Sequence, residues 1–253
     1  MSTPTAGFTN QLARESATWW ATRRWWVQAM AWGVLVNALL AVMLWVIPDL
    51  EGLSGEARMS VAESAAQFTG MAATLASIAT VVLSQGVLVD ERRSGVLEWM
   101  LSKPLERTAL LAAKLVGHAT ALVAVLVLAP WVGVLVLLSL ADGSLWPLGR
   151  WAGATALVAA LVLFHLALVL LLSVMTWSRP VILAVPLAGI LGADLATAVV
   201  PDLVSVLPWS LARLAGPVLV DGTLGSVGPL LSVTVLTVAC LLVGAWRFEH
   251  EEL

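Results

Sequence analysis

The sequence is poor in charge, in cysteine and in tyrosine. Charged residues make up 11% of its 253 positions and hydrophobic residues 60%, whereas soluble globular domains carry roughly 25% charged residues. A soluble fold of this length needs polar surface that the chain does not possess, so the bilayer is the solvent for most of it. The single cysteine, Cys240, lies in an apolar run. It excludes an internal disulfide and a cysteine-based metal site, and reads as a lipid- or core-facing side chain. Net charge is −3 and the basic residues are dispersed, which argues against a nucleic-acid partner. The only lysines are Lys103 and Lys114, and neither follows a glycine. No G-x-x-x-x-G-K-[ST] loop is therefore present to hold the phosphates of ATP. There is also no H-E-x-x-H pair, no G-x-S-x-G elbow and no paired acid within an apolar run, so no catalytic residue and no metal ligand is assigned.

What is present is a series of apolar runs, each near the 20 residues that span a bilayer. Six are expected, over 25–47, 65–89, 109–139, 151–175, 181–200 and 230–247. The fold class is thus all-α, a polytopic membrane protein with six transmembrane helices. The first run is too long for a signal-peptide core, and no small-x-small site follows it. The third is long and Pro130 predicts a kink in it. The fifth contains Pro186 and Asp194 and ends at Pro201. Placing the N-terminus in the cytoplasm puts Arg14, Arg23, Arg24, Arg92, Arg93, Lys103, Arg107, Lys114, Arg179 and Arg247 inside, and only Arg58, Arg150 and Arg213 outside. That bias sets a multi-pass topology in the cell membrane with both termini cytoplasmic. Trp25, Trp26, Trp177 and Trp246 fall at the inner span ends, and Trp45, Trp146, Trp151 and Trp209 at the outer ones, as an aromatic belt requires. Before the first span, Phe8, Leu12, Trp19 and Trp26 fall within about 40° on a helical wheel. Gln11, Arg14 and Thr18 lie off that stripe, and Glu15 violates it. Residues 1–24 are expected as an amphipathic helix in the inner interface.

Between spans two and three lies "DERRSGVLEWMLSKPLER", residues 90–107. Ser94 is placed to cap a short helix, with Asp90 and Glu91 near its start. On the wheel Val96, Leu97, Met100 and Leu101 form one face, and Gly95, Glu98 and Ser102 lie opposite. Pro104 ends that helix and Thr108 opens the next span. A helix this short does not hold alone in water. Its apolar face needs the membrane interface, the protein's own spans, or a docked soluble partner.

The stretch resembles the cytoplasmic loop of ABC-2 type transporter permeases. The likeness is carried by Glu91, Gly95, Leu97, Glu98, Leu101, Pro104 and Arg107, followed by Lys114 and Gly117 at the start of span three. Val96 stands where the family often has threonine. The resemblance implies that 90–108 is a coupling helix docking on a separate nucleotide-binding ATPase subunit. Glu91, Gly95, Val96, Leu97, Glu98, Met100, Leu101, Pro104 and Arg107 would form the docking element. It further implies a connector helix at 1–24, an outer re-entrant or extracellular segment at 201–229, and a second permease chain completing a homodimer. No cofactor is expected in this chain, because ATP and Mg²⁺ would be bound by the partner. The implied function is a permease subunit of an ATP-driven exporter. The alternative is a membrane subunit that moves no substrate and relays ATPase motion to an extracytoplasmic partner. "KLVGH" at 114–118 is similar to permeases that accompany metalloenzyme maturation, which fits that alternative.

Polar residues inside apolar runs are costly and mark interhelical bonds or passages. Four stand out: Asn37 in span one, His118 near the inner end of span three, His165 mid-way along span four, and Asp194 in span five. Asn37 bonds across a dimer interface or lines a passage. His118 lies within reach of the cytoplasmic loop. His165 is favoured as an interhelical hydrogen-bonder. Asp194 faces a substrate route, pairs with Arg150 or Arg213, or sits at the interface; a structural role is favoured. With so few charges in the spans, an amphipathic or hydrophobic cargo fits best. Glycine spacings at Gly149–Gly153 and Gly189–Gly192 allow close helix approach.

Overall fold

Runs of Leu, Val and Ala satisfy their own backbone only as helix when no water is present. In the computed structural model they are helical. The structure describes residues 7–54, 57–102 and 106–251; Lys103 and Pro104 lie outside these, as does the side chain of Asp194. Among the described residues six helices are long and apolar enough to cross a membrane: Arg24–Leu53, Val61–Arg93, Arg107–Asp142, Leu148–Met175, Arg179–Val199 and Gly228–Glu249. These are spans one to six. The number agrees with the hydropathy pattern, but most spans are longer than expected. Span two begins at Val61, before the apolar run itself, because Ser60 and Glu63 form a reciprocal cap. The Ser60 hydroxyl accepts from the Glu63 amide at 3.2 Å, and the Glu63 carboxylate accepts from the Ser60 amide at 2.8 Å.

Twelve α-helices make up these spans and their connections. They are α1 (Phe8–Trp20), α2 (Arg24–Ala41), α3 (Ile47–Ser54), α4 (Val61–Ser84), α5 (Val89–Arg93) and α6 (Val96–Leu101). They continue with α7 (Arg107–Leu122), α8 (Ala129–Asp142), α9 (Leu148–Met175), α10 (Arg179–Val199), α11 (Leu211–Asp221) and α12 (Gly228–Glu249). Pro130 breaks span three in a particular way. The helix continues, but a π-helical turn at Val123–Leu128 immediately precedes the proline. Proline has no N–H to give to the carbonyl one turn back, and a widened turn absorbs that loss. Span one does the same, with a π turn at Val42–Val46 just before Pro48.

Spans two, three and four form the centre. The most apolar window of span four is 67% buried, whereas those of spans one and six are 22% buried. Spans one, five and six therefore turn broad apolar faces outward, toward lipid or another chain. The core side chains include Phe68, Leu110, Trp131, Leu161 and Leu166.

The two ends of the bundle differ. At the end carrying residues 90–107, hereafter the basic end, α1 lies along α7. At the opposite end, residues 201–229 form two 3₁₀ turns, Pro201–Ser205 and Pro208–Ser210, and then α11. That helix is wedged along α4 and α9, burying Leu211, Ala215, Gly216 and Leu219. Gly216 is required there. A Cβ at this position would stand 2.6 Å from the Ala66 carbonyl oxygen. The Trp146 indole donates to the Leu219 carbonyl at 3.1 Å, and Arg150 donates to that of Val220. Gly153 of the predicted Gly149–Gly153 pair faces Val218 of α11, whereas a Cβ at Gly149 would meet nothing within 4 Å, so only Gly153 serves the wedge.

Candidate coupling site

The polar insert folds as two short helices, α5 and α6, joined at Gly95. Gly95 adopts φ 72°, a left-handed conformation that glycine enters without steric penalty. Ser94 does not cap α6, as its position suggested. Its hydroxyl bonds back to the Asp90 carbonyl at 2.8 Å and closes α5.

The apolar face of α6 is turned inward. Leu97 and Met100 are buried in the chain's own core, and Val96 and Leu101 are partly buried. Of the three surfaces open to this face, the protein's own spans provide the one it covers. The residues left outward are Glu98, Trp99 and Ser102, and Trp99 is 59% exposed. Leu97 and Met100 are thus unavailable to a partner in this conformation, while Trp99 is the large apolar side chain presented.

Four consecutive residues, 90–93, tie the insert to elements distant in sequence. Asp90 pairs with Arg179 at the start of span five. Glu91 Oε2 lies 2.7 Å from Lys114 Nζ on α7, an ion pair rather than an aligned hydrogen bond. Arg92 is buried, pairs with Glu251 at 2.5 Å and donates to the Val174 carbonyl at the end of span four. Its guanidinium lies 5.6 Å from the Trp177 ring centre and 5.9 Å from that of Phe248, a cation–π sandwich. Arg93 donates to the Trp177 carbonyl at 3.1 Å.

The centre of this arrangement is Lys114, only 1% exposed. A buried ammonium must be paired, and two carboxylates do so. Glu15 of α1 meets it at 3.0 Å and Glu91 at 2.7 Å. Gln11 donates to Glu15 at 2.8 Å, and Arg14 lies 3.9 Å from Glu91 and against Met100. Two cations and two anions thus close into a neutral group. Glu15, the residue that breaks the apolar stripe of α1, faces inward for this reason. One turn beyond Lys114, Gly117 lets α1 approach: a Cβ there would be 2.8 Å from the Cβ of Glu15. Of the residues that carry the family likeness, Lys114 and Gly117 therefore meet Glu15 of the N-terminal helix, and Glu91 meets Lys114 and Arg14 of the same helix. Nothing in the local sequence pairs position 15 with position 114; an acid interrupting an apolar stripe was the available signal.

Arg107 is placed elsewhere than the docking surface assigned to it. It donates to the carbonyls of Phe248 at 3.0 Å and Glu249 at 3.3 Å, and to that of Glu251. It thus holds the otherwise unpartnered carbonyls that end α12.

The other polar residues stay within the chain. Asn37 donates to the carbonyls of Gly33 at 2.8 Å and Pro130 at 3.1 Å, joining span one to span three. His118 donates through Nδ1 to the Lys114 carbonyl at 3.1 Å, and its ring stands edge-on to Trp19 at 5.8 Å. It braces α1 as well as lying near the insert. His165 is fully buried and donates through Nδ1 to the Leu161 carbonyl at 2.8 Å. It borders a cavity of about 620 Å³ between α4, α9, α10 and α11, lined also by Gln67, Thr74, Ser77 and Trp209. Among the described residues no group of His, Cys, Asp and Glu could hold a metal ion.

No curated protein matches the chain. Residues 28–253 match the family described as ABC-2 family transporter protein, a stretch that takes in all but the first turn of span one, the insert between spans two and three and the remaining spans, and the chain belongs to the ABC-2 family of multi-pass membrane transport proteins.

Proposed function

We propose that this chain is the membrane subunit of an ATP-driven exporter whose ATPase is a separate protein, and that residues 90–107 are its mechanical input. The observation that carries this reading is the fan of contacts from residues 90–93. A push on α6 is delivered through short ionic contacts to α1 and span three, and to the ends of spans four, five and six. A docked motor needs such a rigid joint with two arrangements for its closure to move the spans. The Lys/Arg excess places the basic end in the cytoplasm, where the ATPase with its ATP and Mg²⁺ resides. The outward apolar faces of spans one, five and six suit a second copy of the chain and lipid. The cavity beside His165 suits an amphipathic or hydrophobic cargo, because it combines a few polar groups with apolar walls.

The docking face is that of Glu98, Trp99 and Ser102. Trp99→Ala is expected to abolish co-purification with the cognate ATPase and its stimulation, while leaving membrane insertion and thermal stability unchanged. Leu97→Asp is expected to unfold the insert itself, because it buries an unpaired charge. Unaltered ATPase association in Trp99→Ala, together with wild-type stability, refutes the docking face. Transport of amphiphiles by the reconstituted complex separates a permease from a subunit that only relays force.

A further inference from the structure

A second, smaller pocket of about 310 Å³ opens at the basic end. Its walls include Arg24 of span one, Gln85 and Gly86 after α4, Asp90 of α5, His118 of α7 and Arg179 of α10. Asp90 is engaged with Arg179, so one acid and one base in the wall neutralise each other. Arg24 pairs with no carboxylate among the described residues and is exposed. Gln85 turns its amide to the Val82 carbonyl at 3.0 Å, and His118 has Nδ1 bound to Lys114. The pocket therefore keeps an excess of positive charge, centred on Arg24.

Two features set the depth of this pocket in a bilayer. Trp20, Trp25, Trp26 and Trp177 are all exposed around the same end of the bundle, the position of an interfacial belt. From the first turn of α2 an apolar groove of about 490 Å³ then runs along span one, lined by Trp25, Trp26, Met30, Gly33 and Val34. The pocket and the groove have no lining residue in common: the groove marks the apolar depth of span one, and the pocket stands at its interfacial end. Basic pockets between membrane helices hold phosphate head groups.

We infer that this pocket binds the phosphate of an anionic phospholipid whose acyl chains stay in the surrounding bilayer. This rests on the chain being embedded in a membrane, and not on the docking of an ATPase. The site lies beside the insert, touching Asp90 and His118, so an occupied pocket braces the same joint that α6 drives.

The test is native mass spectrometry of the full-length, delipidated protein titrated with phosphatidylglycerol or phosphatidylcholine. Wild type is expected to retain phosphatidylglycerol more tightly. Arg24→Gln is expected to weaken that binding about fivefold, the effect of one interfacial arginine, and to leave phosphatidylcholine unchanged. Arg24→Lys, which keeps the charge, is expected to restore it. Arg24 has no structural partner to lose, and a thermal melt in detergent confirms that the variants fold. Equal retention of the two lipids by wild type overturns the assignment, as does unchanged phosphatidylglycerol binding in Arg24→Gln. Inorganic phosphate in excess is expected not to displace the lipid; full displacement identifies a free-phosphate site and overturns the lipid.

Discussion

The two ends of this molecule are held by different forces. At the basic end the insert, span three, the start of span five, the segment after span six and an N-terminal helix meet through charge: Lys114 with Glu15 and Glu91, Arg92 with Glu251, and Arg179 with Asp90. At the opposite end the bundle is held through shape. There α11 is wedged along α4 and α9, with Gly216 against the Ala66 backbone and Trp146 fixing the Leu219 carbonyl. A buried ion pair weakens as its partners separate, with little water at hand to replace the lost attraction. Packed apolar surfaces shift as a body. The end proposed to receive a mechanical input is thus built from contacts that lose strength on displacement, and the end beside the larger cavity from contacts that seal.

The strongest way to break this contrast is to remove the central cation. Lys114→Met takes from the buried Glu15 the cation that pairs with it, and leaves the partly buried Glu91 with Arg14, 3.9 Å away. Truncating one partner of a buried ionic group costs about 3–5 kcal/mol, so a large fall in the thermal midpoint is expected. Removing Lys114 together with both carboxylates is expected to recover most of that loss, since a buried ionic cluster is often replaceable by apolar or neutral side chains and the remaining Arg14 is exposed to solvent. The triple variant Glu15→Gln, Glu91→Gln, Lys114→Met should be near wild type in stability yet impaired in ATPase-coupled activity. Recovery of stability and activity together would show that the cluster is structural filling and carries no coupling.

Two glycines sharpen the comparison, because each permits a close approach at one end. Gly117→Ala sets a methyl group 2.8 Å from the Cβ of Glu15, and Gly216→Ala sets one 2.6 Å from the Ala66 carbonyl. Neither obstacle is the free end of a flexible side chain, so backbone must move. Overpacking of this kind costs about 1–3 kcal/mol, and both variants should lose stability by similar amounts. Their functional outcomes should differ. Gly117→Ala lifts α1 from α7 and is expected to uncouple ATPase stimulation. Gly216→Ala displaces α11 and is expected to leave ATPase association intact. Stimulation measured with saturating ATPase distinguishes them; equal loss in both would erase the division between the two ends.

Much of this architecture is legible in the sequence where the cause is local. Six apolar runs give six spans, because backbone in lipid has no alternative to helix. The insert stands out by its charge, and the N-terminal helix by its periodicity. Hydropathy alone places the start of span two too late, because the cap at Ser60 and Glu63 that opens the helix lies before the apolar run. What depends on distant partners was not legible. The wheel of α6 separates Leu97 and Met100 from Glu98, but cannot say whether the apolar face meets a partner or its own spans. Arg107 fits a docking surface by its place in the motif, yet its partners are the last carbonyls of α12, some 140 positions away. Pro130 foretells a bend, and the structure absorbs it in a π turn that hydropathy does not mark.

The smallest effect is expected where charge is present but water remains. Arg58 and Asp49 pair at 3.8 Å at the end opposite the insert, and both are more than two-thirds exposed. Exposed pairs lose in solvent screening and side-chain entropy most of what they gain in attraction. Arg58→Ala should therefore shift stability by no more than about 0.5 kcal/mol, within the scatter of a thermal melt, and raising the salt concentration should change wild type and variant alike. The same substitution made at Arg92, buried between Trp177 and Phe248 and paired with Glu251, should be several-fold more costly. A comparable loss at both positions would mean that burial is not what distinguishes the ionic contacts of the basic end, and that the joint owes its rigidity to the number of its charges rather than to their exclusion from water.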